Sequence, residues 1–450
     1  MPTRSHDIDT ASIVEAYRVR TPRSCAAHRR AVRRLPGGVN RNITHLSPHP
    51  LYVDSGEGAY LVDLDGNRYL DLLGNYTSMI LGCGDVSTAR AIVSQLARGS
   101  GWAAASAAEF KLADVISERV PSMQQVRFAS SGTEATFLAM RAARAATGRE
   151  RVAKFEGGYH GQHDYAVVSL APDPDEWGAQ GRPRAIAPMG VPDATRDTMS
   201  VLPFNDAEAV EAFITEHWRS LAAVIVEPVM GVAGVIQPQD GFLTRLREVT
   251  RRHGIVLIFD EVISFRMAYG GAQEVFGVRP DLTTLGKVIG GGLPVGAVGG
   301  DPAIMSMFDP NRVKPVMFSG TFHANPLVLQ AGLATLDALD IEAIGALNAK
   351  ASRLFHELEQ LLSACNLPVR LNSAGSLFNL HFSAVPVTDY RTSFRADKEI
   401  LKWLHLTLLN RGILVAPRGL GCLSVPMHDG DLDWFLTQMN LALRDLDLIT

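Results

Sequence analysis

The sequence predicts an α/β protein with a mostly parallel central sheet, helices on both faces of that sheet, and small α+β lobes at the N- and C-termini. Short apolar runs alternate with helical patterns in the middle of the chain, which is typical of a parallel sheet with helical crossover connections. The 450 residues exceed the length of one average domain. The two ends of the chain have more mixed patterns than the middle. We therefore expect an N-terminal helix and hairpin lobe over residues 1–80, a large domain over residues 81–330, and a C-terminal small domain over residues 331–450.

The predicted elements follow in chain order. Residues 58–70 alternate in polarity around an Asp-Gly turn and predict a β-hairpin. Residues 125–129 predict a strand, and the Ala-, Leu- and Met-rich residues 133–146 predict the helix after it. Three further short apolar runs predict buried strands of the central sheet: residues 151–155, 222–227 and 255–260. A helical pattern runs from Pro326 to about residue 364, and short strands and helices are expected from there to the C-terminus.

The composition is ordinary for a soluble globular protein and excludes several functional classes. With 43 Lys and Arg residues against 47 Asp and Glu residues, the formal net charge of -4 gives no overall attraction for a polyanion, so we expect no nucleic-acid partner. No run approaches the length of a membrane span, and the first residues lack the apolar stretch of a secretory signal. The four cysteines are far apart, which argues against a zinc site or a disulfide framework. We expect a cytoplasmic protein without a metal and without a membrane partner.

The most informative segment, residues 284–296, holds a single lysine, Lys287, among small and flexible residues. Lysine forms Schiff bases, and a partly desolvated ammonium loses its proton readily enough to act as a nucleophile and to move protons. The glycines of the segment allow the backbone to approach a ligand closely. The alternative is a surface lysine that precedes a glycine-rich turn.

Ser131, Gly132 and Thr133 lie between a predicted strand and a predicted helix. Free N–H groups at the start of that helix, its dipole and the two hydroxyls would all favour a phosphate group. Ser131 and Glu134 also fit the S-x-x-E pattern of a capping box, which starts many helices that bind no ligand. The sequence therefore leaves two interpretations open at this position.

Two further motifs follow predicted strands. Tyr159 and His160 belong to a glycine-rich segment, residues 155–161, in which an aromatic ring could approach a planar ligand; an ordinary glycine turn is the alternative. Asp260 ends a buried strand, where a carboxylate must be paired or hydrogen-bonded, and a protonated pyridine nitrogen would be an apt partner. A helix cap or a structural salt bridge is the alternative for Asp260.

These motifs, in this order, resemble those of the class III aminotransferases of pyridoxal-phosphate fold type I, and the resemblance extends from about residue 36 to residue 426. It implies a pyridoxal 5'-phosphate cofactor, a Schiff base on Lys287, and a pairing of Asp260 with the pyridine nitrogen. Residues 81–330 would then form the cofactor-binding domain. Thr321 matches a residue that reaches the cofactor phosphate of the neighbouring subunit, which implies a homodimer with shared active sites. Further cofactor contacts are implied for Ser131, Gly132 and Thr133 at the phosphate, for Tyr159 and Val262 on opposite faces of the ring, and for His160 and Glu227 near the cofactor.

Within that family the sequence resembles two groups of enzymes. Residues 35–40 and 155–161 are similar to the glutamate-1-semialdehyde 2,1-aminomutases. Arg41, Tyr76 and Arg418 are similar to residues of the β-amino-acid (β-phenylalanine) aminotransferases, in which arginines at matching positions hold substrate carboxylates. A guanidinium fork is the natural partner for a planar carboxylate, although a surface ion pair is the alternative for each arginine.

Two departures from the family pattern bear on the substrate, and the second favours transamination over the mutase reaction. Residues 81–86 differ from the Gly-His-x-His-Pro stretch that is common in relatives. Residues 169–199 are rich in Pro and Arg and lack the Gly/Ser-rich gating loop of the aminomutase, which must retain its intermediate through both half-reactions. We therefore expect an enzyme that moves an amino group from a carboxylate-bearing amine, with a β-amino acid favoured, to a 2-oxo acid.

Three alternatives to that activity remain. The first is the 2,1-aminomutase reaction, and the second is another carbanion reaction of the same cofactor, such as C–C bond formation. The third is a catalytically silent cofactor-binding or scaffold protein. The presence of both Lys287 and Asp260 argues against silence.

Overall fold

The computed structural model describes residues 8–449, in which strands and helices alternate through the middle of the chain. The strands in this range are β1 (Val53–Glu57), β2 (Tyr60–Asp63), β3 (Arg68–Asp71), β4 (Gln125–Ala129), β5 (Arg151–Phe155), β6 (Gly178–Ala179), β7 (Arg182–Pro183), β8 (Met199–Leu202), β9 (Leu221–Val226), β10 (Val256–Asp260), β11 (Leu282–Gly286), β12 (Gly296–Gly300), β13 (Val369–Ala374), β14 (Leu377–Phe382), β15 (Ile413–Leu414) and β16 (Leu420–Cys422). The α-helices in this range are α1 (Thr10–Arg20), α2 (Pro22–Ala31), α3 (Gly74–Thr77), α4 (Val86–Leu96), α5 (Ala107–Arg119), α6 (Gly132–Thr147), α7 (Asp164–Val167), α8 (Asp193–Arg196), α9 (Ala207–His217), α10 (Phe242–Arg252), α11 (Ala272–Phe276), α12 (Pro302–Met305), α13 (Pro326–Ala338), α14 (Ile341–Ser363), α15 (Tyr390–Phe394), α16 (Lys398–Asn410) and α17 (Asp429–Asp445).

Seven strands form the central sheet, in the spatial order β4-β12-β11-β10-β9-β5-β8. Neighbouring strands are parallel except at β12, which runs antiparallel to both β11 and β4. The predicted mostly parallel sheet is therefore present. β9, β10 and β11 are buried along their whole length, as expected of apolar strands that are covered on both faces.

Helices cover both faces of this sheet because successive side chains of a strand point to opposite sides. In β10, Ile258 packs in the core that includes α6, whereas Leu257 and Phe259 pack in the core that includes α9 and α10. A further core joins α5 and α13 to Phe128 and Leu285. With both faces covered, the carboxyl ends of the strands are the place where a ligand can reach the sheet.

The N- and C-terminal parts of the chain pack together. The N-terminal sheet has the order β1-β2-β3-β15, so a C-terminal strand completes it, and β2 and β3 form the predicted hairpin. A three-stranded sheet, β13-β14-β16, lies in the C-terminal part. One hydrophobic core joins Tyr17 and Tyr69 from the N-terminal part with Phe378 and Phe435 from the C-terminal part. The division of the chain at residues 80 and 330 stays a prediction.

The helical stretch after Pro326 differs from the prediction because it consists of two helices. α13 ends at Ala338, and α14 begins at Ile341. The Asp340 side chain accepts a hydrogen bond from the Ala343 N–H at 2.7 Å and so caps α14. Aspartate favours this position because its carboxylate satisfies a free N–H of the first turn. The apolar pattern alone does not reveal such a break.

Three properties concern the residues from 8 to 449 as a whole. No helix in that range combines the length and the apolar character needed to cross a bilayer. No group of three or more His, Cys, Asp and Glu side chains in the same range is placed to hold a metal ion. The four cysteines are free thiols.

Candidate active site

The carboxyl ends of the central strands open into a cavity of about 1500 Å³. Its walls combine residues of the large sheet with residues of the N- and C-terminal parts of the chain. All but one of the predicted site residues line it: Arg41, Tyr76, Ser131, Gly132, Thr133, Tyr159, His160, Glu227, Asp260, Val262, Lys287 and Arg418. The structure therefore brings together residues that are widely separated in the sequence. Thr321 is the predicted residue that does not line this cavity.

Lys287 directly follows β11 and is half-buried in the cavity. Its backbone is left-handed, with a φ of 48°. Such a conformation is costly for a residue with a side chain, and in proteins it is concentrated at functional sites. Burial lowers the pKa of Lys287 from 10.5 to about 8, against the opposing influence of the Asp260 and Glu227 carboxylates. The side chain is therefore a better nucleophile at neutral pH than an exposed lysine.

Asp260, at the end of β10, is buried and hydrogen-bonded on both carboxylate oxygens. Oδ2 lies 2.8 Å from His160 Nδ1, and Oδ1 accepts a hydrogen bond from the Thr284 hydroxyl at 3.1 Å. Burial lowers the pKa of His160, so the ring is neutral, and its proton lies on Nδ1 to donate to Asp260. Thr284 reaches Asp260 because the two residues are paired in the register of the parallel strands β10 and β11. The carboxylate is thereby fixed in orientation.

At the start of α6 one half of the capping-box pattern is present, because Glu134 accepts a hydrogen bond from the Ser130 N–H rather than from the Ser131 N–H. Ser131 is the N-cap residue, and its hydroxyl accepts a hydrogen bond from the Glu134 N–H at 3.2 Å. Within residues 8–449, no protein group accepts a hydrogen bond from the N–H of Gly132 or Thr133. These two donors stand at the positive end of a sixteen-residue helix and face the cavity. An anionic group at this position would be held by them and by the Thr133 hydroxyl.

Gly161 shows how closely the loop after β5 approaches that helix start. Its φ is 98°, and a Cβ atom at this position would lie 2.5 Å from Thr133 Oγ1. The Gln162 N–H donates a hydrogen bond to Thr133 Oγ1 at 3.3 Å. Glycine is therefore needed at position 161 to bring the Tyr159 segment next to the helix N-terminus.

Glu227 holds the backbone of Tyr159 in place. Its Oε2 accepts a hydrogen bond from the Tyr159 N–H at 2.8 Å, and its Oε1 accepts one from the Gly231 N–H at 3.1 Å. Burial, together with the negative charge of Asp260, raises the pKa of Glu227 to about 8. Val262 lies on the cavity wall beside Gly132, where a Cβ atom would come within 3.1 Å of both Val262 methyl groups.

Arg41, Tyr76 and Arg418 form the part of the cavity wall that the terminal parts of the chain contribute. The Arg41 guanidinium lies 5.9 Å from the centre of the Tyr76 ring and donates a hydrogen bond to Asn75 Oδ1 at 2.9 Å. Burial raises the pKa of Tyr76, and the nearby charges of Arg418 and Arg41 oppose that shift. Within residues 8–449, neither arginine forms an ion pair with a carboxylate.

Thr321 is exposed on the surface. Its neighbours along the chain include large apolar side chains that are also exposed: Val313 at 98%, Met317 at 74% and Phe322 at 71%. Apolar patches of this kind are typical of surfaces that meet another protein. The predicted role of Thr321 toward a neighbouring subunit stays a prediction.

A buried anchor behind the cavity wall was missed by sequence reasoning. Trp177 is 5% exposed, its indole N–H donates a hydrogen bond to the Pro172 carbonyl at 2.8 Å, and its ring packs edge-on against Phe394. Arg391 donates hydrogen bonds to the Glu156 carboxylate at 2.6 and 3.0 Å and to the Trp177 carbonyl at 2.9 Å. The tryptophan is visible in the sequence as an aromatic in a Pro-rich loop, but its partners in α15 are distant in the chain.

The sequence and the fold of this chain are similar to those of known aminotransferases and aminomutases. The family model described as Aminotransferase class-III matches residues 43–442. A glutamate-1-semialdehyde 2,1-aminomutase from Syntrophus aciditrophicus (strain SB) is 42% identical over 405 residues, which cover 89% of this chain and 92% of that protein. An omega-transaminase from Sphaerobacter thermophilus has a TM-score of 0.91 and 43% identity, with 94% of this chain and 98% of that chain covered. A β-phenylalanine aminotransferase from Variovorax paradoxus has a TM-score of 0.87 and 34% identity, with 96% and 97% covered.

Proposed function

The chain belongs to the class III aminotransferases, and we propose that it moves the amino group of a carboxylate-bearing amine, with β-amino acids favoured, to a 2-oxo acid. Membership of this family makes the protein a pyridoxal-phosphate-dependent enzyme of fold type I that acts on amines and oxo acids. The predicted family, fold, enzyme class and cofactor are thereby confirmed. The donor, the dimer and the roles of individual residues belong to the proposal.

The chemistry of the donor set fits pyridoxal phosphate. Gly132 and Thr133 offer free N–H groups for the phosphate, Asp260 offers a fixed carboxylate for a protonated ring nitrogen, and Lys287 offers an amine for the aldehyde. When bound, the cofactor supplies an aldehyde that condenses with amines and an electron-poor ring that stabilises a carbanion on the adjacent carbon. The phosphate, the ring nitrogen and the aldehyde, three parts of the cofactor, thus each have a candidate partner on the cavity wall.

Lys287 and Asp260 then divide the proton chemistry between them. With the cofactor bound, Lys287 Nζ would take the proton from the substrate carbon and deliver it to the cofactor carbon. The lowered pKa of Lys287 supports this role, because about a tenth of the amine is neutral at pH 7. Asp260 keeps the proton on the ring nitrogen, and His160 keeps Asp260 in orientation. Glu227 keeps the Tyr159 backbone fixed while the substrate exchanges.

One observation carries the choice of donor: Arg41 and Arg418 lie on the wall of the Lys287 cavity without a carboxylate partner in the described residues. A guanidinium that faces a cavity and lacks a counter-charge is suited to an anionic ligand. The two arginines are far apart in the sequence, but in the structure both lie beside Tyr76. A substrate with a carboxylate is the ligand that uses these groups together with the amine chemistry.

The aminomutase reaction is the second candidate function. The relative from Syntrophus aciditrophicus, 42% identical over 405 residues, carries that name and favours it. A mutase must hold its intermediate between two half-reactions, so a movable gate over the site is to be expected. The Trp177 segment, which lies in the position of that gate in the sequence, is tied down by the Arg391 and Glu156 contacts. A fixed wall supports free exchange of the first product and therefore transamination.

A homodimer is also part of the proposal. The exposed apolar side chains of Val313, Met317 and Phe322 flank Thr321 and would be covered by a second copy of the chain. In that arrangement the Thr321 hydroxyl would serve the cofactor phosphate in the partner's cavity. Burial of the patch and completion of the phosphate site would then occur together.

The proposed reaction is distinguished from the mutase reaction by its products. Purified holoenzyme is incubated with a β-amino acid and a 2-oxo acid, and separately with glutamate-1-semialdehyde alone. We expect the oxo product of the β-amino acid together with the new amino acid from the acceptor, in equal amounts. Conversion of glutamate-1-semialdehyde to an isomer without an acceptor, combined with no turnover of the β-amino acid, would establish the mutase instead.

A further inference from the structure

Four consecutive residues, the last three of which line the cavity, have left-handed backbone conformations. The φ values are 52° at Gly74, 47° at Asn75, 55° at Tyr76 and 76° at Thr77. Only glycine adopts this region freely, and a β-branched residue such as threonine rarely does. A run of such residues persists only where surrounding contacts determine it. The turn therefore needs a support elsewhere in the structure.

The first support is local. Asp71 is buried, and its Oδ1 accepts hydrogen bonds from the N–H groups of Leu73 at 3.0 Å and Gly74 at 2.9 Å. These bonds fix the entry to the turn but do not reach its C-terminal half. Thr77 is buried as well, and its hydroxyl has no hydrogen-bond partner among the described residues.

The second support is Arg266, which is 1% exposed and follows β10 by a few residues. Its guanidinium donates hydrogen bonds to the Thr77 carbonyl at 3.1 Å, to the Ser376 hydroxyl at 3.0 Å and to the Leu423 carbonyl. Within residues 8–449, no carboxylate forms an ion pair with it. A buried cation is costly unless its donors are satisfied, so these three acceptors define the position of the guanidinium, and the guanidinium in turn defines the position of the Thr77 carbonyl.

The turn carries two groups of the proposed substrate site. Asn75 Oδ1 accepts the hydrogen bond that orients the Arg41 guanidinium, and the Tyr76 ring lies beside Arg41 and Arg418. The Tyr76 hydroxyl donates a hydrogen bond to the Ile43 carbonyl at 2.8 Å, so the ring also fixes the segment that follows Arg41. A shift of the turn would therefore move the Arg41 guanidinium relative to the cofactor.

We infer that Arg266 is a positioning residue for donor recognition: it does not line the cavity, and through the Thr77 carbonyl it fixes the strained turn that orients Arg41 and Tyr76. This inference rests on the proposed function, because it assumes that Arg41 binds the donor carboxylate. Arg266 lies in the segment after β10 of the central sheet, whereas the proposed substrate residues come from the terminal parts of the chain. Ser376 and Leu423 tie the same guanidinium to the C-terminal part.

Hydrogen exchange tests the support of the turn without any substrate. The Thr77 N–H donates to the Leu73 carbonyl and the Met79 N–H donates to the Gly74 carbonyl, each at 2.9 Å, so their exchange reports on the turn. In Arg266→Met holoenzyme, exchange at these amides should rise roughly tenfold, the effect of one lost charged hydrogen bond. Ser376→Ala removes a different acceptor of Arg266 and leaves the Thr77 bond in place, so it should exchange like the wild type at these amides. Equal exchange in Arg266→Met and wild type would overturn the inference.

Steady-state kinetics test the link to recognition. Arg266→Met should raise KM for a β-amino acid donor roughly tenfold and leave kcat/KM for a matched amine without the carboxylate near the wild-type value. Equal losses for both donors would show a purely structural role and overturn the inference alone. A wild-type enzyme that treats both donors alike would contradict the proposed function and the inference with it. If Arg266→Met does not fold, Arg266→Lys, which keeps the charge but cannot present a planar fork to three acceptors, is measured in the same two experiments.

Discussion

At the scale of single residues, the cavity changes how readily its side chains release protons. Burial lowers the pKa of Lys287 to about 8 and raises the pKa of Glu227 to about 8. Lys154, a second buried lysine, has a pKa lowered to about 7 by burial, but its ammonium donates to the Ala166 and Val168 carbonyls at 2.6 and 2.7 Å. Those bonds hold Lys154 away from the cavity. Lys398 and Lys402 also line the cavity, but Lys287 is the lysine beside the Asp260 and Glu227 carboxylates.

The first prediction concerns the pH dependence of cofactor uptake by the apoprotein. Only the neutral amine of Lys287 attacks an aldehyde, and below its pKa the protonated form predominates. The rate of uptake, followed by visible absorbance, should therefore rise with pH and level off above about 8. Asp260→Asn should move this midpoint to lower pH, because it removes the negative neighbour that most favours the ammonium. A midpoint near the ordinary lysine value of 10.5 in the wild type would contradict the assignment.

The second prediction concerns the charge of Asp260. Asp260→Asn keeps the shape of the side chain and removes the counter-charge of the ring nitrogen, so the affinity for pyridoxal phosphate should fall roughly ten- to a hundredfold. Thr284→Val keeps the charge of Asp260 and removes only the hydrogen bond from a neutral donor, so the affinity should fall by about 1 kcal/mol, or roughly fivefold. Equilibrium titration of the apoprotein checks both values. Wild-type affinity in Asp260→Asn would remove this residue from the cofactor site.

The side chains proposed to act in the reaction were predictable from the sequence, because their residue types and their neighbours in the sequence indicate their roles. Lys287 among glycines and Asp260 at the end of an apolar run both indicate their chemistry without a structure. Thr284 and Arg266 were missed because their roles depend on strand register and on distant backbone carbonyls. No local pattern distinguishes a threonine that faces a carboxylate from one that faces apolar core.

At the scale of elements, the site depends on how closely a loop approaches the start of α6. The third prediction is that Gly161→Ala lowers cofactor affinity, because its Cβ would lie 2.5 Å from Thr133 Oγ1 and displace the phosphate end of the site. Gly148→Ala is the matched control, since Gly148 has a φ of 69° at the other end of α6 and open space around it. The control should lose about 1–2 kcal/mol of unfolding free energy and keep its affinity. Equal affinities in the two variants would refute this view of the loop.

Four strands of the central sheet were predicted from their apolar patterns, whereas β8, β11 and the glycine-rich β12 were not. β4, β5 and β10 lie within a residue of the predicted bounds. β12 consists of Gly296, Ala297, Val298, Gly299 and Gly300, and glycine is disfavoured in strands. Here glycine is required for tertiary reasons, since a Cβ at Gly296 would collide with the Ser131 carbonyl. A contact between distant segments therefore overrides local propensity.

At the scale of the whole molecule, the terminal parts of the chain pack together and contribute part of the cavity wall. Their shared core and the β3–β15 pairing place Arg41, Tyr76 and Arg418 on one wall. The sequence indicated each arginine only through resemblance, because a lone arginine has no pattern of its own. These three residues lie close together because segments that are far apart in the chain pack against each other.

The fourth prediction concerns the assembly. Phe322→Asp should dissociate the proposed homodimer in sedimentation experiments and weaken cofactor binding, because the charge cannot be buried in an apolar interface and Thr321 would lose the partner's phosphate. Ile341→Asp is the control, since Ile341 is equally exposed at 71% and begins a different helix, α14. It should remain assembled. A fully active monomeric wild type would contradict the shared site.

The central claim is that Arg41 and Arg418 bind the donor carboxylate, and the most direct test is the ratio of kcat/KM for a β-amino acid to kcat/KM for the matched amine that lacks the carboxylate. Loss of one charged hydrogen bond from such a site costs about 1.5–3 kcal/mol, so Arg41→Ala and Arg418→Ala should each lower this ratio roughly ten- to a hundredfold. The loss should appear mainly as a higher KM for the β-amino acid. A ratio that stays at the wild-type value in both variants, whether activity falls or not, would contradict the account.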